Sequence, residues 1–263
     1  MPTAPPNPSP SRVVLITGAA KRLGREMALH LASEGWDVAV HCGRSRAEAA
    51  QTVQDLQAIA PQGRFALWAA DLSQAAEVRQ LFADVVSAWG QVDAVVNSAS
   101  LFELDTVADI DTASFDAHMR TNTLAPVLLA QCLATHLKSR DAKGAVINLL
   151  DQKLYNLNPD FLSYTLSKAA LECANTMLAQ ALAPDVRVVG VAPGLTLTSH
   201  MLDDDAFRAL HRLAPLGQSS TAQDIAQTVS FALNNPAITG TTIVVDGGQH
   251  LVQQARDFSL MKP

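Results

Sequence analysis

Seven short apolar runs, separated by stretches with helical spacing, set the limits on how this chain folds. The runs fall at residues 13–17, 38–41, 65–69, 94–97, 145–150, 186–191 and 241–245. They are apolar throughout and do not alternate, which is the pattern of strands buried on both faces. Helical periodicity fills the intervals, at residues 23–35, 46–60, 75–89, 114–138, 161–182 and 221–233. Strands alternating with helices predict an α/β fold with a parallel sheet covered on both sides. Such sheets bind ligands beyond the carboxyl ends of their strands, where strand order reverses. The least regular stretches, 101–113 and 195–217, follow strand ends and are expected to form substrate-side loops.

No repeat or composition shift interrupts residues 11–250. One domain is therefore expected at 12–251, preceded by a disordered or polyproline-like leader at 1–11 and followed by an extension at 252–263. The leader has neither the basic nor the apolar region of a signal peptide. A 48% hydrophobic content suits a chain with a sizeable core, and a net charge of −6 argues against a nucleic-acid surface. No apolar run reaches the length of a membrane span, so no membrane partner is expected. Cys42, Cys132 and Cys173 are odd in number, form no metal pattern and suit a reducing cytoplasm.

The first strand runs into Thr17-Gly18-Ala19-Ala20-Lys21-Arg22-Leu23-Gly24. Small residues there let backbone approach a pyrophosphate, and the N-terminus of the following helix offers free N–H groups and a positive dipole. The same residues also suit a plain tight βα turn. After the second strand come His41-Cys42-Gly43-Arg44-Ser45, where NAD enzymes usually carry an acid. Arg44 and Ser45, with Arg22, suit a 2′-phosphate, which points to NADP(H). Otherwise Arg44 and Arg46 merely solvate a helix start. Asp71, before Leu72, is either an acceptor for an adenine amine or an N-cap.

Tyr164 and Lys168 are four residues apart on an expected helix and project from one face. An ammonium beside a phenol is expected to lower the tyrosine pKa and make it a proton donor near neutral pH. Asp151 lies thirteen residues before Tyr164.

Together these residues resemble the short-chain dehydrogenases/reductases across nearly all of residues 12–251. The matching pieces are Thr17-Gly18 with Gly24, Asp71-Leu72, Asn97-Ser98-Ala99, Asn122, Tyr164 with Lys168, Pro193-Gly194 and Asp246-Gly247-Gly248. The resemblance implies a Rossmann-like, doubly wound, seven-stranded parallel sheet, a homotetramer and hydride transfer with NAD(P). It also implies a cofactor site at Gly18, Lys21, Arg22, Leu23, His41, Arg44, Ser45, Asp71, Leu72, Asn97, Ala99, Tyr164, Lys168, Pro193 and Gly194. Two departures are similar to pteridine and dihydromonapterin reductases: Arg22 stands at a usual glycine, and Asp151 at a usual catalytic serine. The pattern His41-x-x-Arg44-Ser45 is similar too, and Phe102 falls where those enzymes stack an aromatic ring on the pterin.

An ionised aspartate would repel the negative charge that develops on a carbonyl oxygen, but it helps a C=N nitrogen that gains a proton. The expected reaction is therefore NADPH reduction of a pterin-like C=N bond in a small-molecule substrate. Asp151, Tyr164, Lys168 and Asn122 are the catalytic candidates, Asn122 by fixing a water beside Lys168. Arg22, Ser100, Phe102, Asp151 and Tyr164 are the substrate candidates. Each has a plainer reading: Asp151 bonding backbone N–H groups at a strand end, Phe102 as packing, Asn122 bonding backbone. The resemblance further implies that the extension serves a subunit contact, with Arg256 or Phe258 reaching a neighbour's pocket. Two other functions remain: a carbonyl reductase of a ketone, sugar or thioester, which Asp151 argues against, and a non-catalytic nucleotide-binding partner protein, which has no use for Tyr164, Lys168 and Asn122.

Overall fold

The computed structural model describes residues 11–198, 202 and 204–261. Residues 1–10 of the expected leader and the final two of the extension lie outside the described residues, and Ser11 donates to the Asp37 carboxylate at 2.5 Å. The strands are β1 (Val13–Thr17), β2 (Asp37–Cys42), β3 (Phe65–Ala69), β4 (Ala94–Asn97), β5 (Gly144–Leu149), β6 (Val186–Pro193) and β7 (Thr241–Val245). They form a seven-stranded sheet in the order β3-β2-β1-β4-β5-β6-β7, with every pairing parallel. Strand order reverses between β1 and β4, and this places a crevice beyond their carboxyl ends.

The helices are α1 (Arg22–Ser33), α2 (Arg46–Ile59), α3 (Ala75–Trp89), α4 (Thr112–His118), α5 (Ala125–Ser139), α6 (Leu162–Leu182), α7 (Asp204–His211) and α8 (Ala222–Asn234). Alternate strand residues face opposite cores, as the period of two requires. Val14 and Ile16 of β1 pack with α1, α2 and α8 through Met27, Leu31, Leu56 and Val229. Val13 and Leu15 pack with α3, α5 and α6 through Val78, Leu129, Leu133 and Ala179. Two helical layers thus enclose the sheet. Among the described residues no helix is long and apolar enough to cross a membrane.

Three stretches depart from expectation. The helix expected at 114–138 starts at Thr112, capped by Asp111, and its middle, Met119–Leu124, is π-wound. Pro126 has no N–H to offer the Asn122 carbonyl, so α-winding cannot close there. Phe161 precedes α6 and does not open it, because its φ of +55° is outside the helical region. The 195–217 stretch contains α7, which has Asp204 and Asp205 in its first turn and Arg208 and His211 in its last, charges that complement the helix dipole.

The turn from β1 into α1 is packed to contact. A Cβ at Gly24 would lie 2.2 Å from the Gly18 carbonyl oxygen and 2.8 Å from its carbon, both backbone atoms. Gly24→Ala should therefore destabilise the protein by about 1–3 kcal/mol. A urea unfolding curve checks this, and an unchanged midpoint would mean the turn is looser than its geometry implies.

Candidate active site

Asp151 lies two residues past the end of β5, while Tyr164 and Lys168 lie one turn apart on α6. The start of α6 has no cap from Phe161. Asp105, in the loop after β4, supplies it by accepting Ser163 N–H at 3.0 Å and the Ser163 hydroxyl. That anchor sets the register of α6 against β5. Tyr164 Oη then donates to Asp151 Oδ2 at 2.6 Å, and Lys153 N–H donates to Asp151 Oδ1 at 2.8 Å. One oxygen of Asp151 thus meets the phenol and the other bonds the backbone at the strand end. Lys168 Nζ donates to the Leu149 carbonyl at 2.6 Å and lies 5.8 Å from the Tyr164 ring centroid.

The expectation of a lowered tyrosine pKa is overturned. Burial, then the charge of Asp151, push the Tyr164 phenol well above its ordinary value. Burial also raises Asp151, against the stabilising bond from Tyr164, and lowers Lys168 to about 8. The lysine spends its proton on a carbonyl and the tyrosine on a carboxylate, so the arrangement retains protons and does not release a phenolate.

Asn122 makes the backbone bonds of its plainer reading. Its Nδ2 donates to the Leu101 carbonyl and to Ser167 Oγ, both at 2.9 Å, and its Oδ1 accepts Leu101 N–H at 2.8 Å. The side chain ties the loop after β4 to α6. Along that loop Ser100 and Phe102 line a cavity of about 720 Å³, together with Asp151, Tyr164 and Lys168. Phe102 stacks on Phe161 with centroids 4.1 Å apart and meets Tyr164 edge-on at 4.7 Å, yet remains 38% exposed. It is packed on one side and open to the cleft, which makes it a rigid aromatic platform.

The same cavity continues along Gly18, Lys21, Arg22, Leu23, Ala99, Pro193 and Gly194. Gly18 has a φ of +66°, and a Cβ there would meet Ala99 Cα at 2.8 Å. A cofactor backbone fits this glycine cradle, as it fits the first turn of α1, which has no acid and no side-chain cap. Asn97 adds a buried Oδ1 without a partner, while its Nδ2 donates to Asn148 at 2.9 Å. Arg22 has a φ of +56° and donates to the Thr198 carbonyl at 2.8 Å, spanning from the loop after β1 to the loop after β6.

His41 is corrected from cofactor contact to support. Its Nδ1 accepts Gly18 N–H at 3.1 Å, so Nε2 carries the hydrogen, 3.1 Å from the Ala70 carbonyl. Burial lowers its pKa to about 4, so it is neutral and 2% exposed beneath the turn. Arg44 is exposed, and Ser45 precedes α2 without making a cap bond, leaving both available to an anion. Asp71 does not cap α3; its Oδ1 accepts Ser73 N–H and Oγ, at 2.9 and 2.8 Å, and its pKa is lowered by these bonds with help from Arg44. Leu72 is buried in the core beside α3. Among the described residues no group of His, Cys, Asp or Glu could hold a metal ion.

Leu202, in the expected substrate-side loop, lines the cavity, but sequence reasoning missed that Asp257, Phe258 and Ser259 close it from the same chain. Arg256 and Phe258 both make contacts within their own chain. Arg256 pairs with Asp160 at 2.7 Å, and Phe258 packs with Leu202 and Leu210. The apolar Phe258-Ser259-Leu260 was a legible sign that the tail docks somewhere; nothing in the spacing says where.

The short chain dehydrogenase family model matches residues 12–207. Pteridine reductase 1 of Leishmania tarentolae is 30% identical, over 96% of this chain and 98% of its own length. The 3-oxoacyl-acyl-carrier-protein reductase FabG of Staphylococcus epidermidis is 32% identical, over 92% of this chain and all of its own. The crystal structure of FolM alternative dihydrofolate reductase 1 from Brucella canis, complexed with NADP, superposes with a TM-score of 0.85 at 38% identity, over 92% of this chain and 96% of that one. With its glycine-lined turn, its Tyr164–Lys168 pair and an aspartate in place of the usual serine, the chain belongs to the short chain dehydrogenase family, in its pteridine-reductase-like subgroup.

Proposed function

We propose that this oxidoreductase uses NADPH to reduce a C=N bond in a ring of the dihydropterin or dihydrofolate class. The observation that carries the reading is the 2.6 Å hydrogen bond from Tyr164 to Asp151, in a cleft where a hydroxyl would serve a carbonyl better. Carbonyl reduction builds negative charge on oxygen, and a carboxylate opposes it. Imine reduction leaves a basic nitrogen that must take a proton, and the Asp151–Tyr164 pair holds protons. NADPH supplies the hydride when bound. Gly18, Lys21, Leu23, Asn97, Ala99, Pro193 and Gly194 would hold its dinucleotide, Arg44 and Ser45 its 2′-phosphate, and Lys168 its nicotinamide ribose. Phe102 stacks the flat substrate and keeps water from the nitrogen, and Tyr164 and Asp151 deliver the proton to that nitrogen. Arg22 pairs with the substrate's polar edge. The reading carries with it the family's homotetrameric assembly and a cytoplasmic setting, and the free thiols of Cys42, Cys132 and Cys173 suit the latter.

NADPH consumption on a panel of dihydropterins, dihydrofolate, ketones and acyl thioesters tests the assignment. Turnover of ketones or thioesters alone would replace it with the chemistry named for the FabG relative. On the preferred substrate, Tyr164→Phe should lower turnover by roughly 10²–10⁴. Asp151→Ala should abolish pterin reduction, while Asp151→Ser should admit ketones; an active Asp151→Ala variant would make the carboxylate scaffolding only. Arg44→Ala should raise KM for NADPH and leave KM for NADH nearly unchanged. Lys168 gives a pH signature. Its folded pKa of about 8 is below the ordinary 10.5, so the unfolded chain binds more protons between those values and stability rises with pH across that window. Below it the native state bears the full cost of burying the charge. Lys168→Met should therefore be more stable than wild type at pH 7, by on the order of 3 kcal/mol before loss of the Leu149 bond, with the advantage fading as the pH climbs. Urea melts across pH that show a constant difference would contradict the buried charge.

A further inference from the structure

The last described residues form a strap whose attachments converge on the turn after Asp151. Asn156 Nδ2 donates to the Val252 carbonyl at 2.5 Å, and Gln254 N–H donates to Asn156 Oδ1 at 3.2 Å. Asp160 accepts from Arg256 Nε at 2.7 Å and from Asp257 N–H at 2.8 Å. Lys153 Nζ donates to Asp257 Oδ2 at 2.8 Å and to Asn158 Oδ1 at 2.5 Å. The side chains of Lys153 and Asp257 are 3% and 14% exposed, so this ion pair is largely out of water. The same Lys153 gives its backbone N–H to Asp151, and Asp257 lines the cleft.

We propose that Lys153 and Asp257 are positioning residues for the acid pair: through them the C-terminal strap holds the turn after β5 and balances the charge felt at Asp151 and Tyr164. The inference rests on Asp151 and Tyr164 being the proton source, as proposed above. The groups facing Asp151 are Tyr164 and Lys168 from α6, Lys153 from the turn and Asp257 from the strap. Arg22 and Glu103 line the cleft further out, and Arg256 with Asp160 lies beyond Asp257. The charge of Asp257 strengthens proton retention at both Asp151 and Tyr164. Lys153 carries the opposite charge, with Nζ 2.8 Å from that carboxylate, so each partner left alone should impose a field of opposite sign.

That opposition separates positioning from mere scaffolding. Asp257→Asn removes the negative charge and leaves the ammonium, so the proton should leave the acid pair at lower pH. Lys153→Met leaves the carboxylate, so the proton should leave at higher pH. The double variant should return close to wild type. The alkaline limb of kcat reads these shifts, on the order of one pH unit for a close, partly screened charge. A second readout needs no substrate: the chain has two tyrosines, so in a Tyr155→Phe background the ultraviolet titration of phenol reports Tyr164 alone. Its onset should move down in Asp257→Asn and up in Lys153→Met. If Lys153→Met does not fold, Asp257→Asn and the double variant still decide, since only the single change should shift. Shifts of the same sign, or none, in folded variants would overturn the inference. Opposed shifts of the phenol titration in a protein that reduces no dihydropterin would support the inference and sink the substrate assignment; dihydropterin turnover with both titrations unmoved would do the reverse.

Discussion

The hydrogen bond from Tyr164 to Asp151 joins the end of β5 to the first turns of α6, and most of the cleft is built to keep those two ends in place. Asp105 fixes where α6 begins, Asn122 ties the intervening loop to Ser167, and Lys168 reaches back to the Leu149 carbonyl. Each contact crosses from one element to another near the carboxyl edge of the sheet. The two enclosed cores make that edge rigid, and a proton donor and its acceptor can then be buried together without collapsing onto other partners.

The sheet was readable because its strands are buried on both faces, and a run as short and as uniformly apolar as Val13–Thr17, closed by a glycine, suits little besides a strand covered above and below. The cofactor turn and the Tyr164–Lys168 spacing were readable because they are local in sequence. Features that depend on distant partners were not. The ring of His41 looked like a ligand from its position after β2, but the Gly18 N–H and the Ala70 carbonyl, from the turns after β1 and β3, claim both nitrogens. Asn122 looked free until Leu101 came to it. The pKa of Tyr164 was misread because the spacing shows the lysine and conceals the burial. The π-wound turn had a visible cause in Pro126, and α7 had one in its charges. The docking of the tail on residues 153–160 had none, since ion pairs about a hundred residues apart leave no periodic trace.

Overall similarity does not separate the candidate reactions. The FabG and pteridine reductase relatives stand at 32% and 30% identity, a gap too small to choose between them. What separates them is local chemistry: a carboxyl group against the phenol, an aromatic face held open by Phe161, and a cation where the turn usually carries glycine. Asp151, Tyr164, Phe102 and Arg22 line one cavity, and the proposed function rests on their suiting a flat, nitrogen-bearing ring better than an acyl chain.

Arg22 shows what that specialisation costs. With a φ of +56° it occupies backbone space that glycine enters freely and arginine enters only under strain, on the order of 1–3 kcal/mol. Stability alone would favour glycine at this position. Under the function proposed above, that strain is the counterpart of a cation over the cleft, and a glycine there would relieve the one while removing the other.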